Sequence, residues 1–519
     1  MVSKSRIRRR SKDWIPGAVI TALLFIAAVV FMVLLYRLAL VPSIIMTAGA
    51  LALLVLLAVT EVLLFRTRYK ARFSIGLFIA FILAAILSLG IFFVGNTMFT
   101  VGKITGESVQ VTRVGVYVRS DDPAVTLQDV AGRTIGVLGT LDREVTDQAL
   151  TELTKTLGAE PQTTDYKGLT DLMDALRRED AGAVLVNQGY LDVIQEIDGY
   201  SDILSQIKEV GSLDVKMSID RGLTEESGAQ NAQAQTSNGT VYTIFISGID
   251  TRDDEMIPLS RSDVNIIATI NMDTRQMLLV STPRDYFVPL SISNGVPDKL
   301  THAGIYGIDV CMKTLSMLYD MNMYYYFRVN FGGFVKIIDA LGGITVHSDY
   351  DFNAGSYHYV VGDNQMDGEM ALAFSRERHA FPSGDRQRGR NQMAVIRAVV
   401  RKALSPDLLR NYSSVLSSLN GCFGTNISYE EIARALQRQL RQGGDWNVIT
   451  YSVDGTGDTQ VPYSMSQEAY VMVPDYDTVE AARTLMEKVR NSERITQEEA
   501  NAMTVEHVDT AETETKTEA

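Results

Sequence analysis

Residues 241–285 read VYTIFISGIDTRDDEMIPLSRSDVNIIATINMDTRQMLLVSTPRD. Three runs in this stretch, Val241–Ser247, Val264–Ile270 and Met277–Ser281, are dense in Val, Ile, Thr and Leu and read as strands. Each run has charge close to one end: Asp250 in GID, Asp263 in SRSD, and Arg284 with Asp285 in STPRD. Open α/β sheets hold ligands at strand ends, so these residues are site candidates as well as turn residues. Downstream, Ile305–Tyr319, Phe331–Leu341, Asn391–Leu404 and Tyr429–Leu440 carry helical spacing. The spacing predicts an α/β unit, a mixed-sheet sandwich, over 241–490.

Five arginines, Arg376, Arg378, Arg386, Arg388 and Arg390, lie within fifteen residues of this unit. One arginine there would read as a solvated loop residue. Five, in an acidic chain, read as an anion site, because guanidinium presents a rigid donor fork that fits phosphate oxygens in pairs. Asp250 and Asp263 could share Mg²⁺, which takes a few carboxylates together with phosphate oxygens and water. Arginines beside a divalent ion suit a pyrophosphate. No GxxxxGK, HExxH or GxSxG motif is present.

Upstream, the chain changes character. Residues 14–36, 38–60 and 73–94 contain no charged side chain, and each run can cross roughly 30 Å of hydrocarbon as a helix. A purely cytoplasmic protein is excluded. Basic residues precede the first run, from Lys4 to Lys12, and Arg66, Arg68, Lys70 and Arg72 lie between the second and third. Basic flanks stay on the cytoplasmic side, which predicts a multi-pass plasma-membrane protein with its N-terminus inside and everything after about residue 95 outside. Residues 1–72 hold 11 basic and 2 acidic side chains; the remainder holds 37 and 60, a net of −23. Such an exterior is a poor match for nucleic acid.

The whole chain has 519 residues, two cysteines and five histidines. That length predicts more than one folded unit. Two cysteines, Cys311 and Cys422, do not make a disulfide scaffold, and a zinc site built from several Cys and His is not expected. Segments 112–118, 134–138 and 183–186 read as strands, with helices over Asp142–Leu157 and Leu169–Arg178. The alternation predicts a small α/β accessory domain with a parallel sheet over 110–215. It resembles one lobe of a periplasmic solute-binding protein; a spacer or interaction domain fits the same residues. Residues 216–240 read as a linker, and the acidic, Thr-rich stretch 491–519 as a disordered tail.

Six segments also resemble the LytR–CpsA–Psr family in order and spacing: GIDTR (248–252), SRSD (260–263), STPRD (281–285), KLTHAGIYG (299–307), FGGF to DALGGI (331–344) and ALAFSRERHAFPSGDRQRGRNQ (371–392). The resemblance implies a membrane-anchored phosphotransferase. Its donor would be a polyprenyl-pyrophosphate-linked glycopolymer, its acceptor a hydroxyl of the N-acetylmuramic acid of peptidoglycan, and its cofactor Mg²⁺. By position, Asp250 and Asp263 match the family's metal-side aspartates, and Arg261 and Arg284 its pyrophosphate-side arginines. Arg376 and Arg378 match an Arg-x-Arg pair. Asp385, Arg388 and Gln392 match the start of a helix, with Asp385, or Asp285, orienting or deprotonating the acceptor. Lys299, Arg386 and Arg390 are counted with the pyrophosphate. The family often has Arg-Gln where this chain has Asn391-Gln392. A non-catalytic binder of lipid-linked sugar, or a lipid pyrophosphatase, would use the same pocket.

Overall fold

The computed structural model describes residues 14–38, 43–65, 70–105, 109–218 (apart from 140, 141, 196 and 198), 240–249, 260–403 (apart from 383), 405 and 422–505 (apart from 466). The chain divides into two compact units.

The first unit holds the apolar helices α1 (Trp14–Leu38), α2 (Ser43–Phe65) and α3 (Lys70–Thr105), with helix Tyr429–Gln442 clustered alongside. All three apolar helices are long enough to cross a membrane. Small and medium residues, among them Leu24, Ala28, Leu57, Ala80 and Leu87, are buried between them, and Phe25, Leu54, Phe78 and Phe81 face outward. A bundle that is apolar on its outside suits hydrocarbon rather than water.

The second unit begins with the accessory domain: β1 (Val109–Arg119), β2 (Thr134–Leu138), α4 (Arg143–Leu157), β3 (Gln162–Tyr166), α5 (Leu169–Arg177), β4 (Ala183–Asn187), the short helix α6 (Gly189–Ile194) and β5 (Ile207–Ser218). The sheet order is β3-β2-β4-β1-β5. β2, β3 and β4 are parallel, whereas β1 is antiparallel to both β4 and β5, so the expected parallel sheet is mixed. β3 carries the polar run QTTDY on an exposed edge and gives no apolar signal. β5 pairs with β1 out to Val109↔Ser218, which brings residues 216–218, expected as linker, into the domain. The rest of that linker lies outside the described residues, apart from Thr240.

The larger domain is built on a six-stranded sheet. It contains β6 (Val241–Ile249), β7 (Ser262–Asn271), β8 (Gln276–Thr282), β11 (Tyr325–Asn330), β16 (Phe423–Thr425) and β17 (Asn447–Ser452), in the order β16-β11-β6-β7-β8-β17. Between β8 and β11 come the short pair β9 (Phe287–Pro289) and β10 (Pro297–Lys299), then α7 (Ile308–Tyr319). After β11 follow α8 (Phe331–Ala340), β12 (Ile344–Ser348), the hairpin β13 (Phe352–Ala354) and β14 (Tyr357–Tyr359), β15 (Gly362–Met366), α9 (Gly368–Arg376) and α10 (Asp385–Ala403). After β17 come the pair β18 (Gly455–Gln460) and β19 (Ala469–Pro474), α11 (Tyr476–Arg490) and α12 (Gln497–Val505).

Alternate faces of the central strands feed two cores, because side chains along a strand point to opposite sides. Phe245, Ile267, Leu278 and Val280 pack with Ile308, Leu315, Tyr319, Leu485 and Met486. Ile266, Ala268, Met277 and Leu279 pack with Met393 of α10. The mixed α/β sandwich is therefore as the sequence predicts.

Two boundaries differ from expectation. The helix expected over 305–319 is broken at Gly307, whose φ of 121° is open only to glycine at low cost. The chain does not become disordered at 491: Ile495 and Ala500 enter the core, and α12 is tied to β17 by Gln497 Nε2 donating to the Thr450 carbonyl at 2.9 Å. Sparse apolar residues in a polar segment sufficed, because they meet a ready surface. Residues 506–519 of the expected tail lie outside the described residues.

Candidate functional site

The start of β7, the end of β8 and the N-terminal turns of α10 meet at one cleft of about 640 Å³. Its walls carry Arg261, Asp263, Arg284, Arg376, Arg378, Arg388 and Gln392, which the sequence nominated, together with Phe331, Glu377, His379 and the hairpin residues Ser356 and Tyr357. A second cavity of about 340 Å³ shares Asp263, Arg284, Arg388 and Gln392 with the first and adds Asp285, Arg386, Arg390, Ser452 and Asp454.

Antiparallel pairing of β7 with β8 sets Asn265 opposite Thr282, so Asp263 and Arg284 emerge as neighbours. Arg284 Nη1 donates to Asp263 Oδ1 at 2.8 Å, and Thr301 Oγ1 donates to the same oxygen at 3.1 Å. Arg284 Nε also lies 3.6 Å from Asp285, and Lys299 Nζ lies 3.7 Å from that carboxylate on its other oxygen. Lys299 is buried, which pushes its ammonium below the usual lysine range, with Asp285 opposing the shift. It lines neither cavity and instead sits behind Asp285.

On α10, helical spacing sorts the charges. Arg388 and Gln392, four residues apart, line both cavities, while Arg386 and Arg390 form the neighbouring row and line the second alone. Arg386 Nε donates to Asp454 Oδ1 at 2.6 Å. Arg376, at the end of α9, stands over the Phe331 ring at 4.4 Å from its centroid, a cation–π contact that fixes the guanidinium. Asn391 is buried: its amide donates to the Phe374 carbonyl at 3.3 Å, and its oxygen accepts from Gln387 at 2.9 Å. This position joins α10 to α9 inside the domain, so asparagine there removes no charge from the cleft wall.

Asp385 is the first residue of α10. Asp250 lies outside the described residues. Among the described residues no group of three or more His, Cys, Asp and Glu gathers as a metal site. Asp263 alone suits a cation that relies on substrate phosphates for its other oxygens: both hydrogen bonds to it end on Oδ1, and it faces the cleft.

Thr301, Phe331 and Asp454 were not nominated as site residues. Thr301 and Phe331 lie inside quoted motifs without an assignable role, and Phe331 joins the site through its ring contact with Arg376. Asp454 is brought in by strand register. Cys311 and Cys422 are buried thiols that are not joined in a disulfide, and burial pushes Cys311 up to about 12. Ile308, Val310, Leu315 and Tyr319 of α7 belong to the core of the larger domain.

The LytR_cpsA_psr family model matches residues 211–488. A relative from Enterococcus faecalis (strain ATCC 700802 / V583), named polyisoprenyl-teichoic acid–peptidoglycan teichoic acid transferase TagU, is 32% identical over 222 residues, covering 43% of this chain and 73% of that protein. A relative of the same name from Bacillus cereus (strain AH820) is 30% identical over 234 residues, covering 45% and 73%. Among solved structures, B. subtilis TagV aligns with a TM-score of 0.42 and 24% identity, over 50% of this chain and 100% of that one.

Proposed function

The chain belongs to the LytR–CpsA–Psr family, and from that premise we propose that its cleft moves a glycopolymer phosphate from a polyprenyl-pyrophosphate carrier to a hydroxyl of peptidoglycan. The acceptor oxygen bonds to the phosphorus nearer the sugar. The bond from that phosphorus to the bridging oxygen breaks, and polyprenyl phosphate leaves with the electron pair. The hydroxyl proton passes to Asp385. Asp285, which lies 3.6 Å from Arg284 Nε and 3.7 Å from Lys299 Nζ, is the alternative acceptor of that proton.

The observation that carries this reading is the convergence of Arg261, Arg284, Arg376 and Arg388 on one cleft around Asp263, in an otherwise acidic exterior. Fixed cations aimed at a pyrophosphate stabilise the charge that grows on the leaving group. Arg378 and Gln392 extend the same wall, and Arg386 and Arg390 serve the adjoining cavity. Mg²⁺, held by Asp263 and Asp250, would neutralise further charge there. Val264 lines the cleft and, like half-buried Ile246, Ile396 and Val400, packs against the core that holds Met393, which offers an apolar path from the phosphates toward the space under α10. We assign the N-terminus to the cytoplasm and the cleft to the outside, on the basic flanks of the three spans.

The test uses the full chain in lipid nanodiscs with a polyprenyl-pyrophosphate-linked sugar, a peptidoglycan oligomer and Mg²⁺, read by mass spectrometry. A phosphodiester-linked conjugate that disappears with EDTA supports the reading. Free sugar phosphate in its place would make water the acceptor. Donor bound and returned unchanged would make the protein a binder.

A further inference from the structure

The accessory domain has the topology in which ligands bind outside the carboxyl ends of the parallel strands. Those ends are Leu138, Tyr166 and Asn187. The place is filled by the larger domain's own chain. Ile305 is fully buried within the accessory core, beside Leu138, Leu169, Tyr190 and Val193. A Cβ on Gly189, at the start of α6, would stand 3.1 Å from Ile305 Cγ2, so glycine is what allows the approach. Asn187 Nδ2 reaches the Ile305 carbonyl at 3.5 Å and donates to Asp142 at 2.9 Å. Tyr190 meets Tyr306 edge to face at 5.9 Å.

The segment gripped in this way is one turn from the cleft, and its other side presses on it. A Cβ on Gly304 would fall 2.4 Å from the Ser260 carbonyl and 2.6 Å from the Ser262 amide, on either side of Arg261. Thr301 bonds Asp263, and its amide donates to the Arg284 carbonyl at 2.8 Å. The turn is locked from below by a fully buried set: His302 Nδ1 lies 2.7 Å from Asp298 and 2.8 Å from the Ser464 hydroxyl, and the Ser464 amide donates to Asp298 at 3.0 Å. Next to Asp298 is Lys299, which stands behind Asp285.

We propose that the accessory domain is a positioning element of the transfer site: its strand-end crevice takes residues Ile305–Tyr306 as an internal ligand and thereby sets Arg261, Asp263 and Thr301. Gly189, Asn187 and Tyr190 are positioning residues, since none touches the cleft. This rests on the reading of the cleft as a phosphotransfer site for its kinetic consequence alone; the mechanical coupling stands apart from it.

The experiment introduces Gly189→Val, which drives a side chain into Ile305, into the full chain in nanodiscs. Amide hydrogen exchange of peptides covering 260–263 and 298–306 is followed without substrate. Exchange there is expected to accelerate about tenfold, and kcat for transfer to fall about ten- to hundredfold with donor KM changed far less, the usual scale for misplacing a reacting group. Adding Ile305→Ala to Gly189→Val makes room and is expected to recover part of both losses. Two unrelated destabilising changes would instead add. Where Gly189→Val does not fold, Asn187→Ala serves as the probe, with the same acceleration expected at 298–306. Unchanged exchange at 260–263 and 298–306, or no recovery in the double variant, overturns the proposal. If the unmodified chain transfers nothing, the reading of the cleft fails, and the exchange result still decides the coupling.

Discussion

Arg284→Ala separates the catalytic use of the cleft from its stability. Arg284 and Asp263 form a 2.8 Å pair, with side chains only 19% and 13% exposed. Removing the guanidinium leaves Asp263 largely buried, with Thr301 as its remaining donor among the contacts described above. Breaking a fully buried pair costs 3–5 kcal/mol; solvent reaches this one, so a loss of about 2 kcal/mol of stability is expected. The larger domain has two cores and should stay folded through that loss. On the proposed mechanism the same guanidinium faces the developing phosphate charge, so turnover should fall further: about 10²- to 10³-fold, or roughly 3–4 kcal/mol of transition-state stabilisation. Arg284→Lys keeps charge but not the fork and should fall in between. The assay is conjugate formation by mass spectrometry on full chain in nanodiscs, beside urea unfolding of the same sample. Turnover within threefold of the unmodified protein, in a variant that is measurably less stable, would refute the assignment of Arg284 to the phosphates.

Three further outcomes are expected. Arg386→Ala breaks a pair with Asp454 whose side chains are 51% and 32% exposed, so stability should change by about 0.5 kcal/mol and turnover far less than in Arg284→Ala; a hundredfold loss would move Arg386 into the reacting centre. Phe331→Leu removes the ring under Arg376 and should weaken donor binding by about two- to fivefold, from a contact of about 0.5–1 kcal/mol, as titration with the lipid-linked donor can read. Asp142 is pushed from 3.8 up to about 6, chiefly by burial, with Glu144 raising it further and the Asn187 amide opposing. A carboxyl raised on folding adds stability that is full below its unfolded value and fades as pH climbs through about 6. Part of Asp142 keeps solvent contact, so the loss between pH 4 and pH 7 should be about 1–2 kcal/mol rather than the full shift. Asp142→Asn should match the unmodified chain in urea at pH 4 and exceed it at pH 7.5; equal midpoints at both would show that the carboxylate is not held in a buried setting.

Much of the site was legible because its chemistry is local in sequence. Asp263, Arg284, Arg376 and Arg388 each occur in a short charged motif beside a strand or helix end, and these motifs do meet at one cleft. Lys299 shows the limit of that reading. It sits in such a motif, yet its side chain points behind Asp285, since a strand residue's side depends on register and not on charge. Asp454 had no motif at all. It reaches Arg386 because β17 pairs in parallel with β8, setting Ser452 beside Ser281.

The sequence by itself determined the three apolar spans, the strand-rich start of the larger domain and the clustering of its arginines in short motifs, because uncharged length, alternation and charge clustering are properties of consecutive residues. Only the tertiary structure decided that the strand-end crevice of the accessory domain is filled. Ile305 and Gly189 are 116 positions apart and carry no charge or motif that points from one to the other. Their contact seats the turn between β10 and α7 in the strand-end crevice of the accessory sheet, and packing complementarity between distant apolar residues leaves no trace in local sequence.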